Sequence, residues 1–69
     1  MTRATVKWYD KRKGWGIALL EDGTSVFLHY TNKSDNNYTV MPGDVIVGEL
    51  YEGQKGLVVK RFKKFVRED

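Results

Sequence analysis

Turn-forming segments divide the chain into short runs of alternating hydrophobic and polar residues. Each turn segment contains glycine, aspartate or asparagine, and they lie at residues 11–14, 22–23, 34–37, 42–43 and 53–56. β-Branched and aromatic residues fill the runs between them, as is typical of strands. No segment keeps the 3.6-residue apolar period of an amphipathic helix. The pattern predicts strands at residues 4–10, 15–20, 25–30, 44–52 and 56–66.

Five short strands in 69 residues require closure, because an open sheet would expose an apolar face and two edges. We therefore predict an all-β fold, a five-stranded antiparallel OB-fold barrel, with residues 1–69 forming a single domain. The long polar connection at residues 31–43 indicates a segment that is either mobile or functional. The predicted interior positions are these residues or their neighbours: Val6, Ala18, Leu20, Val26, Leu28, Val45 and Val47.

Two neighbouring predicted strands collect aromatic side chains on one face. Successive side chains of a strand point to opposite faces, so Trp15 and Ile17 share one face. Phe27 and His29 share a face of the next strand, and a turn at residues 22–23 would set the two pairs side by side. Ring faces flanked by cations suit single-stranded nucleic acid, so nucleic-acid binding is the leading hypothesis. The flanking cations are Lys7, Lys11, Arg12 and Lys13.

The net charge is +3, but the charge is unevenly distributed along the chain. Residues 1–13 carry a balance of +4, residues 14–54 of −5 and residues 55–69 of +4. If the two ends meet in the fold, they form one basic stripe that favours a polyanionic partner. The alternative is an ordinary solvated surface with charges of both signs.

The residue inventory argues against several other functions. The chain has no cysteine and one histidine, so we expect no metal site, no cofactor and no thiol nucleophile. The sequence offers no plausible nucleophile–base pair, so we expect no enzymatic activity. No apolar run approaches the ~20 residues that span a bilayer. The N-terminus also lacks the apolar stretch of a signal peptide, and we expect a cytoplasmic protein without membrane contact.

Three segments resemble the cold-shock domain family in amino-acid sequence, order and spacing. They are VKWYD at residues 6–10, KGWGI at 13–17 and VFLHY at 26–30. The resemblance implies a five-stranded OB-type barrel that binds single-stranded RNA or DNA. It also implies the roles of family members, which are RNA chaperones or regulators of transcription or translation. The positions that match the family's nucleic-acid contacts are Lys7, Trp8, Lys13, Trp15, Phe27, His29, Tyr30 and Tyr38.

The chain departs from the family at two interface positions that we retain as candidates. Ile17 stands where the family has a third phenylalanine, and stacking on one aromatic ring is worth ~1–3 kcal/mol per base. The larger ring of Trp15 partly compensates for this loss. Asp10 stands where the family has asparagine; its carboxylate repels phosphates and lacks amide donors, which predicts a different base preference.

Each candidate role has an alternative. The alternative to stacking for Trp15 and Phe27 is packing in the core, where most aromatic residues lie. Small and aliphatic residues alternate with these two rings along the strands, however, and they suit a narrow barrel interior better. Tyr9 and Tyr38 remain open between stacking and packing, and His29 between stacking and an ordinary surface position. The basic flanking residues are either solvated turn charges or phosphate contacts.

For the whole chain, the alternative function is a small protein-interaction module that uses the same aromatic face. The density of lysine and arginine around the rings favours nucleic acid. We expect a monomer, with a protein partner as the alternative. The basic stretch 60–67 is interpreted as a last strand ending in a charged tail; the alternatives are an extended nucleic-acid footprint and a protein-docking surface.

Overall fold

Five strands account for most of the residues that the computed structural model describes, which are residues 1–66. Each strand begins and ends within two residues of its predicted bounds. Within residues 1–66 the only helical segment is a three-residue 3₁₀ turn, and no helix is long enough to cross a membrane. Arg67, the end of the basic stretch noted above, lies outside the described residues. The elements are β1 Thr2–Asp10, β2 Trp15–Leu19, β3 Ser25–His29, the 3₁₀ turn Tyr30–Asn32, β4 Val45–Gly53 and β5 Gly56–Lys64.

The strands form a closed barrel in the order β1-β2-β3-β5-β4, which confirms the predicted all-β, five-stranded barrel. Among the pairings between the five strands of the described residues, four are antiparallel and the pairing of β3 with β5 is parallel. A ring with an odd number of strands cannot alternate in direction all the way round. The antiparallel prediction therefore holds everywhere except at this seam, where Phe27 pairs with Val58.

Aliphatic side chains and one phenylalanine fill the barrel interior. Predicted interior positions such as Val6, Ala18 and Leu28 are buried, but Leu20 and Val45 are only partly covered. Ile46, the neighbour of Val45, takes the interior position on β4 instead. The buried residues are Ala4, Val6, Ala18, Val26, Leu28, Val40, Ile46, Val47, Val59 and Phe62.

The β2–β3 hairpin closes at residues 22–23, as its sequence predicts. Gly23 has a φ of +89°, a conformation in which a Cβ would cost energy. The Thr24 backbone N–H donates to Asp22 Oδ1 at 2.9 Å. Hydrogen bonds from Thr24 hold the pKa of the Asp22 carboxyl below its ordinary value. This turn fixes the register that places Trp15 opposite His29 and Ile17 opposite Phe27.

The connection between β3 and β4 is anchored to the barrel at several points. The Ser34 backbone N–H donates to the Phe62 carbonyl oxygen at 2.9 Å, and Val40 is buried in the core. The Tyr38 N–H donates to the Asp35 carbonyl at 3.1 Å, and the Asn37 N–H donates to the Asp35 carboxylate at 2.9 Å. Backbone and side-chain contacts thus give this polar segment a defined path.

A β-bulge at Lys7 decides which side chains of β1 face outward. Val6 pairs with Ala18 and Trp8 pairs with Ile17, so Lys7 is an extra residue on β1. Because strand side chains alternate, one extra residue reverses which face the following side chains occupy. Val6 points inward, and Trp8, two residues later, points outward instead of following it into the core.

Candidate nucleic-acid interface

The bulge brings the two tryptophans of the chain together on the outside of the barrel. Trp8 is 36% exposed, and its ring lies edge-on to that of Trp15, with centroids 4.9 Å apart and planes at 70°. The Trp15 ring is followed by that of Phe27, whose centroid is 6.5 Å away. Three half-exposed rings from three successive strands therefore lie side by side.

Cross-strand register arranges the predicted interface residues in two rows. One row runs from Trp8 through Ile17 to Phe27, and the other from Asp10 through Trp15 to His29. Ile17 is partly buried between two rings, where it supplies apolar surface but no ring for stacking. We call five of these residues the outer aromatic face: Trp8, Trp15, Ile17, Phe27 and His29.

An open groove of about 490 Å³ lies along one edge of the outer aromatic face. Three of its lining residues were not predicted as interface residues from the sequence: Asn32, Lys55 and Val58. The parallel seam between β3 and β5 brings Val58 and the turn before it beside Phe27. A parallel pairing between distant segments leaves no local sequence signal, although a lysine in a glycine-rich turn is a recognisable phosphate-contact candidate.

His29 and Tyr30 form the edge of the face where β3 ends. The His29 Nδ1 atom accepts from the Thr31 backbone N–H at 3.3 Å and lies 2.8 Å from the Thr31 Oγ1. Through this contact the His29 side chain caps the start of the 3₁₀ turn Tyr30–Asn32. The Tyr30 ring lies 4.8 Å from that of His29 and crosses Gly14, where a Cβ would approach Tyr30 Cδ1 to 2.6 Å.

The β1–β2 turn uses the Asp10 carboxylate to hold its basic residues in place. Asp10 Oδ1 accepts from the backbone N–H groups of Arg12 at 2.9 Å and Lys13 at 3.1 Å. The Asp10 carbonyl oxygen accepts from the Gly14 N–H at 2.7 Å. An asparagine could make the same acceptor contacts, so the charge of Asp10 is not needed for the turn. The exposed side chains around this turn are Lys7, Lys11, Arg12 and Lys13.

A second open groove, of about 610 Å³, runs between the β1–β2 turn and the β3–β4 connection. Lysines and an arginine from both segments line it, together with Tyr9 and Tyr30. The Lys33 ammonium group at its rim donates to the Tyr38 carbonyl oxygen at 2.8 Å. This groove continues the positive charge away from the rings, as a phosphate backbone requires.

Tyr38 and Tyr9 are placed differently from the residues of the outer aromatic face. The Tyr38 hydroxyl donates to Asp44 Oδ2 at 2.7 Å, and both tyrosine rings pack against the core. Burial, reinforced by the Asp44 carboxylate, raises the pKa of the Tyr38 phenol, and burial also raises that of Tyr9. With the fully buried Phe62, these two tyrosines form what we call the inner aromatic group.

Gly16 explains how Tyr9 reaches the core side of the sheet. It lies opposite Tyr9 in the β1–β2 ladder, and a Cβ there would come within 2.8 Å of Tyr9 Cδ1 and 2.7 Å of its Cα. The Tyr9 ring therefore crosses β2 in space that only a glycine leaves free. Trp8 and Tyr9, adjacent in sequence, thus differ in their surroundings: the Trp8 ring contacts that of Trp15 on the outside, and the Tyr9 ring packs against the core while lining the basic groove.

Rings and cations dominate the described surface of the candidate site. The described residues contain no group of three or more His, Cys, Asp or Glu side chains that could hold a metal ion. Both grooves are open surface features lined by rings and cations, and the single imidazole stands on the outer aromatic face. Flat apolar surface with surrounding positive charge can stack planar rings and contact anions.

Comparison with known proteins identifies the family. Residues 2–64 match the model of the 'Cold-shock' DNA-binding domain. A cold shock-like protein of Thermotoga maritima is 36% identical over 55 residues, which cover 78% of this chain and 83% of that protein. The major cold shock protein of Streptococcus pyogenes serotype M18 is 35% identical over 57 residues, covering 81% and 85%. The Cold shock protein CspB of Bacillus caldolyticus is 33% identical over 57 residues, covering 81% and 86%. The chain belongs to the cold-shock domain family.

Proposed function

We propose that this chain binds single-stranded RNA or DNA on the outer aromatic face. The observation that carries the proposal is the row of half-exposed rings from β1, β2 and β3, which lie side by side and leave the core to other residues. Membership of a family described as a DNA-binding domain supports the same role. Bases stack on Trp8, Trp15, Phe27 and His29, and the sugar–phosphate backbone runs past the basic β1–β2 turn.

Single strands are favoured over duplexes because stacking on protein rings needs bases that are free of their partners. In a duplex both faces of each base are already covered by neighbouring bases, so the rings have nothing to stack on. Stacking is also tolerant of sequence, since every base has a flat face. The proposed ligand is therefore a class of unpaired strands, in RNA or DNA.

The remaining candidates are assigned supporting roles. Lys7 and Lys13 contact phosphates, while Tyr30 extends the stacking surface at the end of β3. Ile17 contributes apolar contact between the rings, and Asp10 lowers affinity through repulsion of nearby phosphates. Tyr38 contributes through the position of its loop, because its hydroxyl is bonded to Asp44 and its ring packs against the core.

The same binding mode supports an RNA chaperone activity. A protein that stacks unpaired bases binds the open state of a hairpin and not the closed state, so it shifts the equilibrium towards the open state. A regulator of transcription or translation would act by the same shift on a particular transcript. We propose these roles in that order, because melting requires only the binding surface itself.

The test is a comparison of affinities for a single strand and for the duplex of the same sequence, each at two salt concentrations. The single strand should bind more tightly, and the logarithm of its affinity should fall with that of salt at about −0.7 per phosphate contact. Equal affinity for duplex and single strand would reject stacking as the mode. No binding at low salt would reject the proposal in favour of a protein-interaction module on the same face.

A further inference from the structure

The row of residues that crosses the outer aromatic face does not end at Phe27. Phe27 pairs with Val58 on β5, and Val58 pairs with Tyr51 on β4, so the register continues the row onto a further aromatic ring. Two strand spacings of ~4.8 Å place Tyr51 about 10 Å from Phe27. Tyr51 is 47% exposed, and Val58 between them is partly exposed as well.

The Tyr51 ring is held in place by polar neighbours on the same face. The Lys60 ammonium nitrogen lies over the ring, 4.9 Å from its centroid. The Tyr51 hydroxyl donates to Glu49 Oε2 at 3.2 Å. A ring fixed at both its face and its hydroxyl is pre-organised, which lowers the entropy cost of stacking another ring against it.

Arg61 stands next to Lys60 in an unusual backbone conformation. Its φ is +53°, a left-handed value that is uncommon for a residue with a side chain. The conformation belongs to a bulge in β5 opposite Gly48, and it leaves the Arg61 side chain 80% exposed. Such a conformation costs of order 1 kcal/mol or more and is frequent at functional surfaces.

A third groove, of about 390 Å³, lies between these residues and the 3₁₀ turn that follows β3. It is lined by residues of the 3₁₀ turn on one side and by Tyr51, Lys60 and Arg61 on the other. Asn32 lines both this groove and the one beside Phe27, so the two grooves are neighbours on the surface. The charged side chains of the third groove are those of Lys33, Lys60, Arg61 and Glu49. The carboxylate of Glu49 lies 4.0 Å from the Arg61 guanidinium, and the net charge of the four side chains is positive.

We propose that a bound single strand continues from Phe27 across Val58 and stacks one further base on Tyr51, while Lys60 and Arg61 contact its phosphates. We call these three residues the Tyr51 extension. The inference rests on the proposed function, and it favours nucleic acid over a protein partner because the register continues from Phe27 to Tyr51 and the groove beside Tyr51 carries positive charge. The Tyr51 extension lengthens the footprint beyond the three strands that carry the outer aromatic face.

The test measures affinity against oligonucleotide length for the wild-type chain and for Tyr51→Val. Oligothymidylates from about 4 to about 16 nucleotides span the range of site sizes known for OB folds. Wild-type affinity should rise with length until the strand reaches Tyr51. Tyr51→Val, which keeps a good strand former at that position, should lose about fivefold or more on the longest strands and little on the shortest.

Two further variants separate the contribution of the Tyr51 ring from that of the Lys60 charge. Tyr51→Phe keeps the ring and loses the bond to Glu49, and it should follow the wild-type curve. Lys60→Gln should reduce the salt dependence on long strands by about one phosphate contact, with no change on short strands. If Tyr51→Val follows the wild-type curve at every length, or weakens short and long strands alike, the Tyr51 extension is rejected.

Phe27→Ala distinguishes failure of this inference from failure of the proposed function. If the proposed function holds, Phe27→Ala weakens binding at every length, whatever Tyr51→Val does. If Phe27→Ala binds oligonucleotides of every length as the wild type does, the outer aromatic face is not the binding site, and the Tyr51 extension is rejected as well.

Discussion

The outer aromatic face and the inner aromatic group are built from the same kinds of side chain, yet the barrel uses them differently. Trp8 and Tyr9 are neighbours in sequence; Trp8 lies on the outer face, and Tyr9 packs against the core across Gly16. The Tyr38 hydroxyl donates a hydrogen bond to Asp44 Oδ2, whereas the Trp15 ring lies between those of Trp8 and Phe27 on the outside of the barrel.

The difference teaches how a ring that supports the fold can be distinguished from one that is free to bind. A supporting ring packs against the core, as those of Tyr9, Tyr38 and Phe62 do. A binding ring has an uncovered face, and its loss removes little buried area from the folded state. Substitutions in the two groups should therefore affect different measurements: the free energy of unfolding for the inner group, and the affinity for a single strand for the outer face.

The largest expected effect is on the inner side, at Phe62. Its side chain is 0% exposed, and replacement by alanine should lower the free energy of unfolding by about 3–5 kcal/mol, through lost burial and the cavity that remains. Urea unfolding followed by circular dichroism measures the change. Phe62→Leu, which keeps most of the apolar volume, should lose less. A Phe62→Ala chain as stable as the wild type would contradict the assignment of this ring to the core.

The next effect separates two neighbours on β3, Phe27 and Leu28. Phe27→Ala should weaken single-strand binding by about 1–3 kcal/mol, because one stacking surface is lost. Leu28 is buried, and Leu28→Ala should instead lower the free energy of unfolding by about 2–5 kcal/mol. Titration with a single-stranded oligonucleotide measures the affinity of both variants, and urea unfolding measures their stability. The comparison fails if Phe27→Ala is the less stable of the two or binds as tightly as the wild type.

A smaller effect concerns the hydroxyl of Tyr38. Tyr38→Phe removes the donor to Asp44 and should lower the free energy of unfolding by about 1 kcal/mol near neutral pH. Burial and the Asp44 carboxylate raise the pKa of Tyr38 in the folded chain, so this contribution is complete below the ordinary tyrosine pKa of about 10. It is lost as pH rises through the folded-state value.

Unfolding measured from pH 7 upward checks the sign of this effect. The stability of the wild type should fall more steeply above about pH 10 than that of Tyr38→Phe, so that the two curves approach each other. Single-strand affinity near neutral pH should change little, because the ring remains in place. Loss of affinity with unchanged stability would move Tyr38 from the inner aromatic group to the binding surface.

The smallest effect tests the charge of Asp10. Asp10→Asn keeps an oxygen for the N–H groups of Arg12 and Lys13, so the stability should be nearly unchanged. Removal of one negative charge beside the rings should tighten single-strand binding about two- to fivefold at low salt, and less at high salt. Asp10→Ala is the control that loses both charge and acceptor. Weaker binding by Asp10→Asn would contradict the repulsive role.

Much of the outer aromatic face could be predicted from local sequence. Strand alternation alone placed Trp15 with Ile17 and Phe27 with His29, and the turn at residues 22–23 fixed their register. Trp8 was different, because strict alternation from the buried Val6 would send it inward. Its outward position depends on the bulge at Lys7, which alternation does not reveal. Trp8 was predicted as an interface residue from the family resemblance instead.

Residues brought together by distant pairings were harder to predict. Phe62 follows a second bulge, and Val40 lies in an irregular segment, so neither showed the alternation that marks an interior position. Tyr38 was left open because its role depends on the hydroxyl bond to Asp44 across a loop. The pairing of Tyr51 with Val58 is local to the β4–β5 hairpin, but the pairing of Val58 with Phe27, which completes the row, exists only once the barrel closes.

The most direct test of the outer aromatic face follows each tryptophan separately as a single-stranded oligonucleotide is added. Trp8→Phe leaves only the indole of Trp15, and Trp15→Phe leaves only that of Trp8. If the bulge at Lys7 turns Trp8 onto the binding surface, both variants should show quenching of the remaining indole at the oligonucleotide concentrations that saturate binding. Quenching of Trp15 with unchanged fluorescence from Trp8, or unchanged fluorescence from both, would contradict the account.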